Sequence, residues 1–160
     1  MRRLITILAA IGLLFASSGI AYGSQPGAVS GTYSVTTITS FSLSPVGANT
    51  FIQQTTAGVF SGTLAGTFED ELKAIVHPNG LVGGQGTLTC VCTVAGKSGT
   101  LEFVQVSTGD FAAQAFEGRA IIIGGTGDLS GLRGVLELQG SVDPNGLATV
   151  TYAGRIHDHP

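Results

Sequence analysis

Ile121-Ile-Ile-Gly-Gly-Thr-Gly-Asp-Leu-Ser-Gly-Leu-Arg-Gly134 is the stretch that decides the fold. A β-branched run ends in a glycine-dense corner, and Val135-Leu-Glu-Leu-Gln139 then resumes as strand. Gly124, Gly125, Gly127, Gly131 and Gly134 can supply backbone angles that residues with a Cβ resist, so a sheet can turn sharply here. A nucleotide-binding reading fails on spacing. Counted as G-x-G-x-x-G from Gly125, the third glycine position holds Ser130, and no long helical pattern or βαβ unit follows. The corner belongs to a β-barrel.

Outward from the corner, turn signals recur at short intervals, and the residues between them alternate or are β-branched. The spacing predicts eight strands, over about 29–43, 50–60, 63–76, 81–94, 100–106, 111–123, 134–142 and 147–156. On the first, Tyr33, Val35, Thr37 and Thr39 share a face. His77-Pro-Asn-Gly80 and Asp143-Pro-Asn-Gly146 are matching turns: proline presets φ and glycine takes the left-handed position. Thr108-Gly-Asp110 is read as the end of the fifth strand. The one helical candidate, Asp128 to Leu132, is at most a single turn. Eight antiparallel strands with short connections make an all-β barrel or sandwich.

The N-terminus reads as an export signal. Arg2 and Arg3 precede the apolar run Leu4 to Phe15, and Ala21-Tyr22-Gly23 is a small-residue cleavage pattern with the cut after Gly23. Residues 1–23 are thus a signal peptide and residues 24–160 a single domain, secreted or periplasmic. The apolar run is short for a membrane span, and no stable membrane insertion is expected after cleavage. Loss of two arginines makes a net charge of −3 still more negative, which argues against nucleic acid as a partner. Charged residues are only 11% of the chain, the profile of a compact, turn-rich β domain.

Cys90 and Cys92 are the only cysteines. An exported chain can form disulfides, yet residues i and i+2 of a strand lie near the limit of bridgeable separation, so a bridge needs a bulge. A strained local disulfide and two packed thiols stay open. Half a metal site is the weakest reading, since His77 lies in a turn and His157 and His159 at the C-terminus, without the spacing of a ligand set. Neither a metal nor another cofactor is expected.

Gly124-Gly-Thr-Gly127 with Leu129, Gly131 and Gly134 resembles the corner of the allene oxide cyclase barrel and of plant dirigent proteins. The closer resemblance is to a family of uncharacterised bacterial proteins with that barrel, through Gly125-Thr-Gly-Asp-Leu-Ser-Gly-Leu-Arg-Gly134. Val29-Ser-Gly-Thr-Tyr33, Phe60-Ser-Gly-Thr-Leu-Ala-Gly66, Gly96-Lys-Ser-Gly-Thr-Leu-Glu-Phe103 and Tyr152-Ala-Gly-Arg155 are similar in order, so the likeness spans nearly the whole mature chain. It implies an eight-stranded antiparallel closed barrel, allene oxide cyclase-like, whose alternate residues point into a lumen. It also implies a lumen that holds a hydrophobic molecule, and self-association as dimers or trimers. The cyclase's glutamate–water constellation and the dirigent acid sites have no position-by-position match here, and a shared fold does not by itself assign function.

The residues that could carry chemistry are few. Glu117 and Arg119 share a face with Ile121 and Ile123. Inside the lumen they could polarise a carbonyl or steer a proton; outside they are a surface salt bridge. Glu137 shares a face with Gln139, and Leu136 and Leu138 take the other, so register decides whether Glu137 meets a ligand or solvent. Tyr152 could donate a hydrogen bond to a ligand, or sit in the core with its hydroxyl satisfied. Glu69, Glu71 and Lys73 read as a solvated strand surface. The catalytic candidates are therefore Glu117, Arg119 and Tyr152, and the ligand-binding candidates Arg119, Glu137 and Tyr152. Three functions follow: a barrel binding a small hydrophobic molecule, a cyclase or isomerase without cofactor, and a filled structural barrel.

Overall fold

The computed structural model describes residues 27–159, so the signal peptide and the cut after Gly23 expected from the sequence lie outside the described residues. Eight strands follow in chain order: β1 (Gly27–Val46), β2 (Asn49–Gly62), β3 (Leu64–Val76), β4 (Leu81–Val94), β5 (Lys97–Asp110), β6 (Ala115–Gly125), β7 (Leu132–Val142) and β8 (Ala148–Asp158). Each pairs antiparallel with the next, and β8 pairs back to β1 from Gly27↔Ile156 to Ser34↔Thr149, closing the ring. Closure leaves no strand of the ring without two neighbours, which suits a chain with few charges to guard an edge.

Strand alternation fills one end of the ring. Phe60 sits at the centre of an aromatic cluster, its ring centroid 5.1 Å from Tyr33, 5.4 Å from Phe68, 5.7 Å from Tyr152 and 6.2 Å from Phe103. Leu64, Cys90, Leu101, Ile122 and Leu136 pack around it, all essentially without solvent contact. Each such aromatic removes ~150–250 Å² from water, so this half supplies most of the burial that holds the ring shut.

The glycine corner seals that end. The chain leaves β6 at Gly125, makes a 3-10 turn over Gly127–Leu129 and drops Leu129, fully buried, into the barrel mouth before β7 begins. Of the five corner glycines only Gly127 has a left-handed backbone, at φ +60°. Gly125, Gly131 and Gly134 are needed for close approach rather than for unusual angles: a Cβ on Gly125 would lie 2.5 Å from the Leu129 carbonyl oxygen, one on Gly131 2.8 Å from that of His159, and one on Gly134 would collide with that of Arg155. Gly80 and Gly146 take the expected left-handed positions of their turns, at φ +85° and +84°.

Two expectations change. β5 runs on through Gly109 to Asp110, and the turn falls at residues 111–114, where the Asp110 carboxylate accepts the Ala112 and Ala113 N–H groups at 2.8 and 3.0 Å. On β1, register shifts between Val35 and Thr37 and between Ile38 and Ser40 break the alternation. Tyr33 and Val35 therefore stay on the inner side while Thr37 and Thr39 are exposed.

Candidate functional site

Past the aromatic cluster, the inward positions carry smaller or polar residues: Gly84 and Gly86 on β4, Gln105 and Ser107 on β5, Ala74 on β3. The ring is no longer filled, and a cavity of about 400 Å³ opens. Val35, Phe41, Leu72, Phe116, Leu138 and Val142 form its apolar walls, and the turns at 111–114 and 143–146 form its rim. That volume falls within the usual range for small-molecule sites.

A polar arc forms the floor, contributed by four strands. Asp70 (β3) and Thr56 (β2) stand directly opposite each other in the ladder. The Gln105 amide (β5) donates from Nε2 to Asp70 Oδ1 at 2.7 Å, and the Tyr33 hydroxyl (β1) donates to Gln105 Oε1 at a long 3.5 Å. β4 lies between Asp70 and Gln105, and the two meet only because Gly86 leaves the space: a Cβ there would be 3.2 Å from Asp70 Oδ1 and 3.3 Å from Gln105 Nε2. Thr56 is among the residues lining the cavity but is 1% exposed, and its buried Oγ1 has no hydrogen-bond partner among the described residues. Buried hydroxyls are rarely left in that state.

Burial pushes the Asp70 carboxyl up to about 7; the Gln105 hydrogen bond opposes the rise and the charge of Glu71 adds to it. The group thus populates both protonation states near neutral pH and can donate or accept a proton. Burial, then the negative charge of Asp70, drives the Tyr33 phenol well above its ordinary range, so it stays neutral. Among the described residues no cluster of three or more His, Cys, Asp or Glu side chains could hold a metal ion.

The residues singled out from sequence lie elsewhere. Glu117, Arg119 and Glu137 are on the outer wall, around a shallow groove with Val106, Thr108 and Gln139. Arg119 Nε pairs with Glu137 Oε1 at 2.9 Å across β6 and β7, with both side chains more than half exposed. Tyr152 points inward but into the filled half, where its hydroxyl accepts the Leu64 N–H at 2.9 Å and lies 3.3 Å from the Ser61 and Leu64 carbonyl oxygens. It ties β8 to the β2–β3 hairpin. Cys90 and Cys92 are free thiols buried in the same half, and the Cys92 side chain together with burial pushes the Cys90 thiol up.

Sequence reading passed over Asp70, Thr56 and Gln105. A signal for Asp70 was present: if Glu69, Glu71 and Lys73 face solvent, period two turns Asp70 inward with Phe68 and Leu72.

Comparison with known proteins bears on the fold. A family model described as "Protein of unknown function (DUF3224)" matches residues 29–152. A solved structure of a DUF3224 protein of unknown function from Shewanella oneidensis MR-1 superposes with a TM-score of 0.62 at 17% identity, covering 85% of this chain and 99% of that one. The pterocarpan synthase dirigent protein PsPTS1 is similar at TM-score 0.52 and 15% identity, covering 87% of this chain and 99% of that one. A second pterocarpan synthase dirigent protein, GePTS1, gives 0.50 and 14%, covering 98% and 100%. No curated protein matches the chain.

Proposed function

The chain belongs to the DUF3224 family and has a dirigent-like fold, and we propose that it is a binding barrel that holds a small hydrophobic molecule in its lumen. One observation carries this reading: a cavity of about 400 Å³ with apolar walls and a floor of a few convergent polar groups, in a barrel whose other half is packed solid. A filled structural barrel would have no need of a buried, unpartnered Thr56 hydroxyl beside a buried carboxyl. A cyclase or isomerase is the second reading, favoured by Asp70, whose carboxyl at about 7 suits proton transfer within an apolar pocket.

The export signal read over residues 1–23 would put the barrel outside the cytoplasm, where it could capture or carry such a molecule. Self-association is part of the proposal. Val104, Ile121 and Val135 are paired in a row across β5, β6 and β7 and are exposed on the outer wall, an apolar strip suited to a second copy.

Native mass spectrometry of protein purified from its own host tests the binding reading. A retained small molecule is expected in the natural protein and should be absent from Ala74→Phe, which fills the lumen. An empty barrel from the natural host, or retention unaffected by Ala74→Phe, would overturn it. Conversion of the released compound by the natural protein and not by Asp70→Asn would select the enzyme reading.

A further inference from the structure

We propose that the guest is an amphiphilic cation, a primary amine on an apolar body, seated with its ammonium group between Asp70 and Thr56 and its body along the cavity walls. This rests on the binding reading above and narrows it to one ligand chemistry.

The first ground is charge. The ionisable side chains lining the cavity are Tyr33, Asp70, Asp110 and Asp143; no lysine, arginine or histidine is among the lining residues. Asp110 and Asp143 stand at the rim, where they raise the local concentration of cations and repel anions. A carboxylate-headed guest would have to lose its hydration beside another carboxylate.

The second ground is the unfinished state of the floor. Salt bridges among the described residues are Lys97–Asp158 and Arg119–Glu137, both outside the lumen, so Asp70 is buried without a cationic partner. Ionised groups are seldom buried unless paired. The groups facing Asp70 are Tyr33 from β1, Thr56 from β2, Gly86 from β4 and Gln105 from β5, with Glu71 next to it on β3. Of these only Tyr33 and Glu71 have ionisable side chains, and neither carries positive charge.

The third ground is hydrogen-bond direction. Tyr33 donates to Gln105, and Gln105 donates to Asp70 Oδ1, so the chain of donors ends on the carboxyl. What remains is Asp70 Oδ2, an acceptor, and the Thr56 hydroxyl, which can accept as well as donate, on adjacent strands directly opposite each other. An ammonium has three N–H groups and can satisfy both while neutralising the carboxylate. An alcohol could also bridge the two, donating to Asp70 and accepting from Thr56, but it brings no charge to neutralise the carboxylate.

A pH signature follows. Asp70, at about 7 in the free protein, must be ionised in the amine complex. Between pH 8 and pH 6 the amine affinity should fall about tenfold, and at pH 6 binding should release a proton to the buffer.

The test is isothermal titration of the mature protein with octan-1-amine, octan-1-ol and octanoate at pH 6 and pH 8. At pH 8 the amine is expected to bind at least tenfold more tightly than the alcohol, and octanoate most weakly. Asp70→Asn should bring the amine down to the affinity of the alcohol, with alcohol binding as the check that this variant is folded. Thr56→Val, close in shape, should weaken the amine several-fold. Alcohol binding as tight as amine binding, both abolished by Ala74→Phe, would overturn the inference and keep the binding barrel. Tightest binding by octanoate, or an amine affinity indifferent to Asp70→Asn, also overturns it. Failure of all three probes to bind overturns the inference and counts against the binding barrel as well.

Discussion

The two ends of this barrel are made by the same eight strands with the same inward alternation, yet one is solid and the other hollow. On β4 the inward residues are Leu88, Cys90, Cys92 and Val94 at the filled end and Val82, Gly84 and Gly86 at the hollow end. On β5 they are Leu101 and Phe103, then Gln105, Ser107 and Gly109. The backbone ring sets a lumen, and side-chain volume alone decides whether it is core or site. The filled end therefore stabilises the ring for the hollow end, which is free to carry groups that cost stability.

The largest expected effect separates the two ends directly. Phe60→Ala removes the ring at the centre of the aromatic cluster and should cost about 3–5 kcal/mol in urea unfolding. Leu72→Ala, on the half-buried cavity wall, should cost about 1 kcal/mol, since its side chain already faces open space. Similar losses at both positions would mean the hollow end is packed in solution and the contrast is lost.

The next effect is one of pH. The carboxyl of Asp70 is raised from 3.8 when unfolded to about 7 when folded, so the native state holds that proton more tightly. Its favourable contribution is complete below about pH 4, declines as the pH climbs toward 7 and is gone above it. At ~1.4 kcal/mol per unit, the span is on the order of 4 kcal/mol. Asp70→Asn keeps an acceptor for Gln105 and has no charge to bury. Urea unfolding should show this variant gaining about 3 kcal/mol on the natural protein between pH 5 and pH 8. Parallel stability curves for the two proteins would show that Asp70 is well solvated and that the floor is not a buried site.

The strands, turns and corner were legible because each depends on local chemistry: β-branched runs, Pro-Asn-Gly turns, and glycines where backbones pass within contact of each other. Which face looks inward was harder to read. Ile121 and Ile123 are apolar and exposed, at 47% and 50%, so on β6 the face carrying Glu117 and Arg119 could be read either as lumen wall or as exterior, and it is the outer one. Period two gives the alternation but not its sign when both faces carry apolar residues. On β1 the two register shifts hide the face altogether, because they change the parity midway. The floor was missed for another reason. Asp70 and Gln105 face inward on separate strands and meet across a third through the space at Gly86, a contact that no spacing within one strand encodes.

The smallest effect belongs to the outer wall and sharpens the comparison by its size. Arg119 and Glu137 pair at 2.9 Å with side chains 65% and 60% exposed, where water and salt screen the attraction. Arg119→Ala should change stability by no more than about 1 kcal/mol, with a weaker effect in 1 M salt, and should leave amine binding as it was. Asp70 and Arg119 are both charged residues of a barrel strand, and what separates them is which side of the wall they face. If Arg119→Ala lost ligand binding at unchanged stability, the groove beside Glu117 and Glu137 would be the site, and the hollow end of the lumen would need another explanation.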